Sequence, residues 1–295
     1  MEKWKNEEIV ETKKAAKSEV KKKLKETGKR VEWKNEKNVK NGKMKKGGSM
    51  QHPNIVEFKV YGEYALFSDP ITRVGGEKCT YQIPTYEALK GILQSVYFKP
   101  TFQWIIDDVR IMNQIQTQSS GIRPLVYSGG NTLAIYTYLK NVAYQVRAHF
   151  EWNENRPELI ADRDENKHHN IAKRMIDKGG RRDVFLGTRE CQGYVEPCVF
   201  GEGSGAYDEQ IGKLDFGFMF HGFTYPDEAS AAEEQGKVHA RFWHPTMEKG
   251  CIHFARPEAC ERKRFLKNMT MKVFDQSNFS PVSALEEEEM NHELA

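Results

Sequence analysis

The sequence predicts an α+β protein whose main domain is ferredoxin-like, the arrangement that RNA-recognition modules also use, with a small antiparallel β-sheet domain appended to it. Between residues 50 and 200 the period of the apolar residues alternates between two and about 3.6, in the order β-α-β and then β-α-β. Residues 201–275 hold short strand-like runs with no helical period between them. We therefore expect one domain at 50–200, a second at 201–275, and two terminal segments, 1–49 and 276–295, outside the fold.

The first β-α-β unit is predicted on three segments. Residues 55–62 alternate between apolar and polar side chains, which indicates a half-buried strand. From Leu89 to Val96, apolar side chains recur at i, i+3, i+4 and i+7, which predicts an amphipathic helix that Pro100 cannot continue. Residues 102–112 are apolar enough to form a central strand.

The second unit follows a glycine-rich connector. Residues 142–150 alternate and predict a strand, and residues 167–178 predict a helix that Gly179 and Gly180 end. Residues 183–187 are predicted as the fourth strand. In the appended domain we expect three short strands that form an antiparallel sheet, at residues 215–223, 237–243 and 250–255.

Composition limits the class of protein. A chain of 295 residues, of which 38% are hydrophobic, can bury a sizeable core. No run approaches the roughly 18 apolar residues of a membrane helix, and the start of the chain lacks the apolar core of a signal peptide. We therefore expect a cytoplasmic protein with no membrane partner. The five cysteines are scattered without a CxxC pair, which favours free thiols over disulfides or a zinc site.

The net charge of +3 conceals an asymmetry, because the lysine-rich residues 1–49 are strongly basic and the rest of the chain is acidic. The basic segment ends in a GGSM run at residues 47–50, which is typical of a linker that precedes a second start. We interpret it as an appended segment or tag, and a native basic arm that contacts nucleic acid is the alternative. The four glutamates at 286–289 predict a solvated acidic tail.

The sequence itself indicates two candidate catalytic residues, Lys167 and His168. A lysine beside a histidine supplies a fixed cation and a proton donor that titrates near neutrality. Those two roles suffice for metal-free cleavage of RNA if a third group activates a 2'-hydroxyl. His169 points about 100° away from His168 on a helix, so the two rings make a poor metal pair. The alternative for these residues is that they are solvated side chains at the start of a helix. Tyr97 lies at the end of the first predicted helix, and its alternative is an ordinary half-buried tyrosine.

Two loops that contain glycine and arginine are candidates for phosphate contacts. Residues 179–183 (GGRRD) combine a flexible backbone with two guanidinium groups, which bind phosphates in a bidentate manner. Residues 73–78 have a similar composition, and surface arginines are the alternative for both loops. Residue chemistry alone thus indicates an RNA-binding domain with a candidate ribonuclease site. A pure binding protein, a metal-dependent nuclease and a structural protein without RNA affinity stay open.

Blocks of uncommon sequence occur in a fixed order along residues 53–275. They are residues 62–70 (GEYALFSDP), 75–78 (GGEK), 84–91 (PTYEALKG), 97–100 (YFKP), 129–133 (GGNTL), 136–139 (YTYL) and 179–197 (GGRRDVFLGTRECQGYVEP). In these blocks the chain strongly resembles the CRISPR-associated "Cas-five, d subtype" endoribonucleases of type I-C systems. Residues 1–49 have no counterpart in this pattern, which favours the appended-segment interpretation.

The resemblance implies an enzyme that cuts the repeat hairpin of precursor CRISPR RNA without a metal or any other cofactor. The 2'-oxygen attacks its own phosphate and leaves a 2',3'-cyclic phosphate and a 5'-hydroxyl. The resemblance also implies that the protein stays bound to the 5' handle of the crRNA, beside the other subunits of the type I-C interference complex.

The catalytic tyrosine, lysine and histidine of that family fall on Tyr97, Lys167 and His168. We expect Lys167 to stabilise the phosphorane, His168 to protonate the leaving 5'-oxygen, and Tyr97 to orient or activate the 2'-hydroxyl. Binding to the RNA backbone should depend strongly on salt. The candidates for that contact are Arg73, Lys78, Arg123, Arg181 and Arg182.

Overall fold

The computed structural model describes residues 54–70, 72 and 76–271 of the chain. The predictions for the terminal segments 1–49 and 276–295, and for Arg73, lie outside these residues. The helices are α1 (Tyr86–Val96) and α2 (Glu165–Asp177), and a 3-10 turn at Pro157–Asp162 precedes α2. The strands are β1 (Val56–Ala65), β2 (Phe102–Ile111), β3 (Thr117–Ile122), β4 (Ala134–Trp152), β5 (Val184–Phe185), β6 (Gln192–Pro197), β7 (Lys213–Asp215), β8 (Met219–Thr224), β9 (Lys237–Trp243), β10 (Thr246–Glu248), β11 (Cys251–His253) and β12 (Arg262–Asn268). No helix within these described ranges is long and apolar enough to cross a membrane.

A nine-stranded sheet forms the body of the described chain. Its order is β5-β6-β1-β4-β2-β11-β10-β7, with β3 paired to β4 off this path, and its ladders are antiparallel. The 19 residues of β4 pair with β3 at one end and with β1 and β2 beyond it. The chain is therefore a mixed protein of antiparallel sheets and few helices, as the predicted α+β class requires.

The periodicity of the sequence explains β1 and α1. Val56, Phe58 and Val60 alternate with half-exposed neighbours and are at most 1% exposed. α1 begins after Thr85, whose hydroxyl accepts a hydrogen bond from the Ala88 N–H at 3.2 Å. The predicted apolar stripe of this helix is buried in the core: Leu89, Ile92, Leu93 and Val96.

Caps at both ends set the bounds of α2, which begins two residues earlier than predicted. The Asp164 carboxylate accepts a hydrogen bond from the Lys167 N–H at 3.0 Å. Gly179 and Gly180 end the helix with φ angles of 82° and 107°, a region that favours glycine. The helix packs against β1 and β6.

β1 lies between β4 and β6 in the sheet. The predicted strand at 183–187 forms only the two residues of β5, which pair with β6. The chain turns at Gly187, whose φ is 96°. A Cβ at this glycine would lie 2.0 Å from the Leu66 carbonyl oxygen, so only glycine lets the two backbones approach this closely. The strand signal of residues 183–187 is thus cut short by a turn.

A separate three-stranded sheet has the order β12-β9-β8. The strands predicted at 215–223 and 237–243 overlap β8 and β9, which pair with each other. The expectation that residues 250–255 complete this sheet is wrong, because β11 pairs with β2 in the nine-stranded sheet. The third strand is β12, whose seven residues are all exposed and therefore show no apolar alternation. The division into domains at about residue 200 stays a prediction.

Candidate active site

Tyr97, Lys167 and His168 lie in one chain of hydrogen bonds that passes through Asp162. The Tyr97 hydroxyl is 2.7 Å from Nδ1 of His168. Nε2 of the same ring is 2.7 Å from the Asp162 backbone oxygen. The Asp162 carboxylate in turn accepts a hydrogen bond from Nζ of Lys167 at 2.5 Å. Residues 97 and 168 are distant in sequence, and the fold brings them into direct contact.

The ends of two helices place these groups. Tyr97 follows α1 in an extended conformation with φ of −154°, and its N–H donates to the Leu93 carbonyl at 2.8 Å. Nε1 of Trp104 donates to the Tyr97 carbonyl at 2.8 Å and fixes the residue on β2. Lys167 and His168 occupy the first turn of α2, directly after the 3-10 turn that ends at Asp162. The site therefore lies where α1 ends and α2 begins.

His168 is fully buried, so the alternative of a solvated helix start does not hold for this residue. Its ring centroid lies 5.3 Å from that of Phe102 and 5.9 Å from that of Trp152. The Asp162 carbonyl can only accept a hydrogen bond, so Nε2 of His168 carries a hydrogen. In the neutral ring Nδ1 then accepts from the Tyr97 hydroxyl. Both nitrogens of the ring are occupied by protein groups.

Burial and charge tune the groups around the ring. Burial raises the pKa of Tyr97 above its ordinary value of 10, and the negative charge of Asp162 raises it further. The hydrogen bond from Lys167 lowers the pKa of Asp162, and the Thr101 hydroxyl, which donates to this carboxylate at 2.9 Å, lowers it as well. At neutral pH Tyr97 is therefore a hydrogen-bond donor and Asp162 is an anion.

Exposure differs along the chain of hydrogen bonds. The Lys167 side chain is 47% exposed, Tyr97 is 5% exposed, and His168 has no accessible surface. A phosphate can reach the lysine ammonium directly. The histidine ring can exchange a proton with the Tyr97 hydroxyl.

Sequence reasoning missed Asp162 and Thr101. Asp162 lies in the polar run that precedes Lys167, where nothing distinguishes it from Asp164 and Glu165. Thr101 follows a proline after the first helix and has no local signal of a role. His169, which the sequence set aside, turns away and places Nε2 at 2.9 Å from the Ile55 carbonyl.

Arg181 and Arg182 are exposed in the loop after α2, close to the end of α1. The Arg182 N–H donates to the Ser95 carbonyl at 3.2 Å, two residues before Tyr97. The two arginines line a cleft of about 460 Å³ together with the side chains of Tyr61 and Tyr194. The predicted phosphate-binding loop is thus adjacent to the end of α1, whereas Lys167 and His168 lie at the opposite end of α2.

The other predicted RNA contacts lie elsewhere. Nζ of Lys78 sits 4.9 Å from the ring centroid of Tyr136 and lines a second cleft, of about 430 Å³, beside α1. Arg123 is exposed directly after β3, in the loop that leads to β4. Within the described ranges, no group of three or more His, Cys, Asp and Glu side chains is arranged to hold a metal ion.

Comparison with known proteins places the chain in a class and then in a family. The model of the Cas5d family, described as "CRISPR-associated protein (Cas_Cas5)", matches residues 55–255. The chain is therefore a CRISPR-associated protein. It belongs to the Cas5d family, which confirms the resemblance found in its sequence blocks.

Individual relatives agree with this assignment. The chain is 26% identical over 213 residues to the CRISPR pre-crRNA endoribonuclease Cas5d of Thermus thermophilus. The aligned region covers 67% of this chain and 90% of that protein. A crystal structure of a CRISPR-associated protein is 36% identical, with a TM-score of 0.60, and covers 71% of this chain and 96% of its own. A functionally uncharacterized protein from Streptococcus mutans is 39% identical, with a TM-score of 0.58 and the same coverage.

Proposed function

We propose that this protein is an endoribonuclease that cleaves the repeat hairpin of precursor CRISPR RNA. It then stays bound to the 5' handle as a subunit of the type I-C interference complex, in the cytoplasm. Membership of the Cas5d family and the name of the Thermus thermophilus relative support this function. The observation that carries it is the hydrogen-bonded chain from Tyr97 through His168 and Asp162 to Lys167, because it joins a proton-transferring ring to an exposed cation.

Lys167 acts on the phosphate. When the 2'-oxygen attacks the adjacent phosphorus, negative charge accumulates on the equatorial oxygens of the pentavalent phosphorane. The exposed ammonium of Lys167 stabilises that charge, and Asp162 holds the ammonium in one position at 2.5 Å. A positioned cation stabilises a transition state more than a mobile one, since less reorganisation is needed.

His168 supplies the proton to the leaving 5'-oxygen. Because its ring is fully buried, the proton passes through Tyr97: the hydroxyl gives its proton to the 5'-oxygen and receives one from Nδ1 of protonated His168. The raised pKa of Tyr97 favours this donor role over that of a base. The proton of the 2'-hydroxyl leaves to water, and His168 ends in its neutral form.

No metal ion is needed in this scheme, because protein groups supply both the charge and the proton. Cleavage of a labelled repeat hairpin in EDTA tests this, with Lys167→Ala and His168→Ala as variants. We expect wild-type protein to cleave fully and both variants to lose cleavage while they retain RNA binding. Loss of wild-type cleavage in EDTA would favour a metal-dependent nuclease. Binding without cleavage by the wild type would favour a non-catalytic structural subunit.

We propose a ferredoxin-like core for the fold. β1-α1-β2 and β4-α2-β6 are two β-α-β units, and their strands lie in the sheet order β6-β1-β4-β2. Counted along the chain, these are the fourth, first, third and second strands of the two units. Two interleaved β-α-β units form this order. The arrangement supports a shared platform on which the ends of α1 and α2 meet.

A further inference from the structure

The outer face of the three-stranded sheet carries a cluster of aromatic rings that the proposed reaction does not use. Phe220 on β8 is paired directly with Phe242 on β9. Phe218, just before β8, stacks on Phe242 with a centroid distance of 5.5 Å and an interplanar angle of 18°. Phe220 meets Phe242 edge-on at 6.0 Å. Phe218 is 44% exposed, so part of this cluster is open to a planar ligand.

Cations border these rings on β12. Arg262 is paired with Phe242, and its guanidinium lies 5.6 Å from the ring centroid of Phe218. Arg264 lies two residues further along the strand and so on the same face. Lys267 is exposed near the end of the same strand.

Within the part of the chain that the structure describes, most of the positive charge on β12 has no carboxylate partner. Lys263 pairs with Glu234 at 2.7 Å. Among the residues that the structure describes, no carboxylate lies within ion-pair distance of Arg262, Arg264 or Lys267. The nearby Glu261 binds His244 instead, at 2.8 Å. The strand therefore presents three cations to a polyanion.

A cleft runs from this face along α1. Phe220 lines the cleft of about 430 Å³ that follows α1 from Glu87 to Ser95. Eight residues of α-helix span about 12 Å. Ser95 lies two residues before Tyr97 and accepts the backbone hydrogen bond of the Arg182 loop. The aromatic face and the candidate site thus both adjoin α1: the cleft beside Phe220 follows this helix to Ser95, and Tyr97 follows its last residue.

We propose that the aromatic face binds the single-stranded RNA that flanks the repeat hairpin. Bases stack on Phe218 and the rings beside it, and Arg262 and Arg264 bind the phosphates. Exposed aromatic rings bordered by cations on a β-sheet are the standard means of holding single strands, because every base offers a π-face and every link a negative charge. The identity of the RNA rests on the proposed function, whereas the affinity for a single strand does not.

The test is fluorescence anisotropy with three labelled RNAs: a single-stranded 12-mer, the repeat hairpin alone, and the hairpin with a single-stranded flank. The variants are Phe218→Leu, which keeps an apolar side chain but removes the ring, and Arg264→Ala, which removes an exposed cation. We expect each to weaken binding to the 12-mer and to the flanked hairpin about tenfold. Binding to the hairpin alone should not change. Lys213→Ala on β7, at the edge of the other sheet, is the matched control and should behave as wild type.

Wild-type affinity of both variants for the 12-mer would overturn the inference and leave the proposed function intact. The protein could also bind the 12-mer in a way that depends on Phe218 and yet never cleave the hairpin. That result would support RNA binding at the aromatic face and refute the proposed nuclease activity. Preference of the same face for a DNA 12-mer over RNA would also overturn the inference. A third result would overturn it as well: changing the glutamates at 286–289 to glutamine raises RNA affinity, and Phe218→Leu has no effect. The acidic tail would then be the occupant of the face.

Discussion

At the scale of single residues, the Tyr97 hydroxyl is the group that contacts Nδ1 of the buried His168 ring. Tyr97→Phe keeps an aromatic ring beside Phe102 but leaves Nδ1 of His168 without a partner. A buried acceptor that loses its donor costs about 1–3 kcal/mol of unfolding free energy. We expect hairpin cleavage to fall at least about 100-fold, measured under single-turnover conditions at saturating protein. RNA affinity is the control and should not change, and cleavage at the wild-type rate would refute the proton path through Tyr97.

Asp162 gives the same site a dependence on pH. Lys167 lowers the pKa of this carboxyl below its ordinary value of 3.8. A group whose pKa is lowered by folding stabilises the protein above the unfolded value, and the contribution is lost as the pH falls through the folded value. Asp162→Asn should therefore lower Tm slightly at about pH 6, by the equivalent of at most about 1 kcal/mol for so exposed a pair. Well below pH 3.8 the two proteins should melt together, and a difference in Tm that persists there would contradict this account.

The residues of the site were accessible to sequence reasoning to different degrees. Tyr97 could be proposed because it lies in the recognisable block 97–100, and Lys167 and His168 because they form a lysine–histidine pair at a helix start. Asp162 could not, since its role depends on a 3-10 turn that aims both its carbonyl and its carboxylate at the site. The burial of His168 was equally hidden, because the rings that cover it come from β2 and β4.

At the scale of elements, the first turn of α2 ties helix formation to the candidate chemistry. The Asp164 carboxylate caps this turn, which carries Lys167 and His168. Asp164→Ala removes the cap and should lower the unfolding free energy by about 1 kcal/mol, measured by urea denaturation. Cleavage should fall with it, because both groups that we propose to be catalytic lose their fixed backbone. Asp164→Asn is the control, since asparagine caps equally well, and equal effects of the two substitutions would show that charge rather than capping matters.

Elements with one strong local period were predictable, and their pairing was not. β1, α1 and β2 follow from apolar spacing, because each buries one face against the same core. β12 has no buried face, so its exposed basic sequence contains no strand signal. The transfer of β11 to the nine-stranded sheet depends on contacts between Ile252 and Val109, more than 140 residues apart, which local alternation cannot encode.

At the scale of the whole molecule, the loop after α2 offers an RNA backbone a contact beside the end of α1, apart from Lys167 and His168 at the start of α2. The hydrogen bond from Arg182 to Ser95 holds this loop beside the last turn of α1, where both arginines are exposed and line a cleft. Each phosphate contact that is lost reduces the slope of log K against log salt by about 0.7 to 0.9. We expect the double variant Arg181→Ala/Arg182→Ala to bind the repeat hairpin more weakly and with a slope smaller by about 1.4 to 1.8, measured by anisotropy across a salt series. Lys213→Ala, which removes one exposed cation on β7, should leave the slope unchanged. Because Lys167 and His168 are intact in the double variant, cleavage should recover at saturating protein, and a loss that saturation does not restore would assign these arginines to the chemistry instead of to binding.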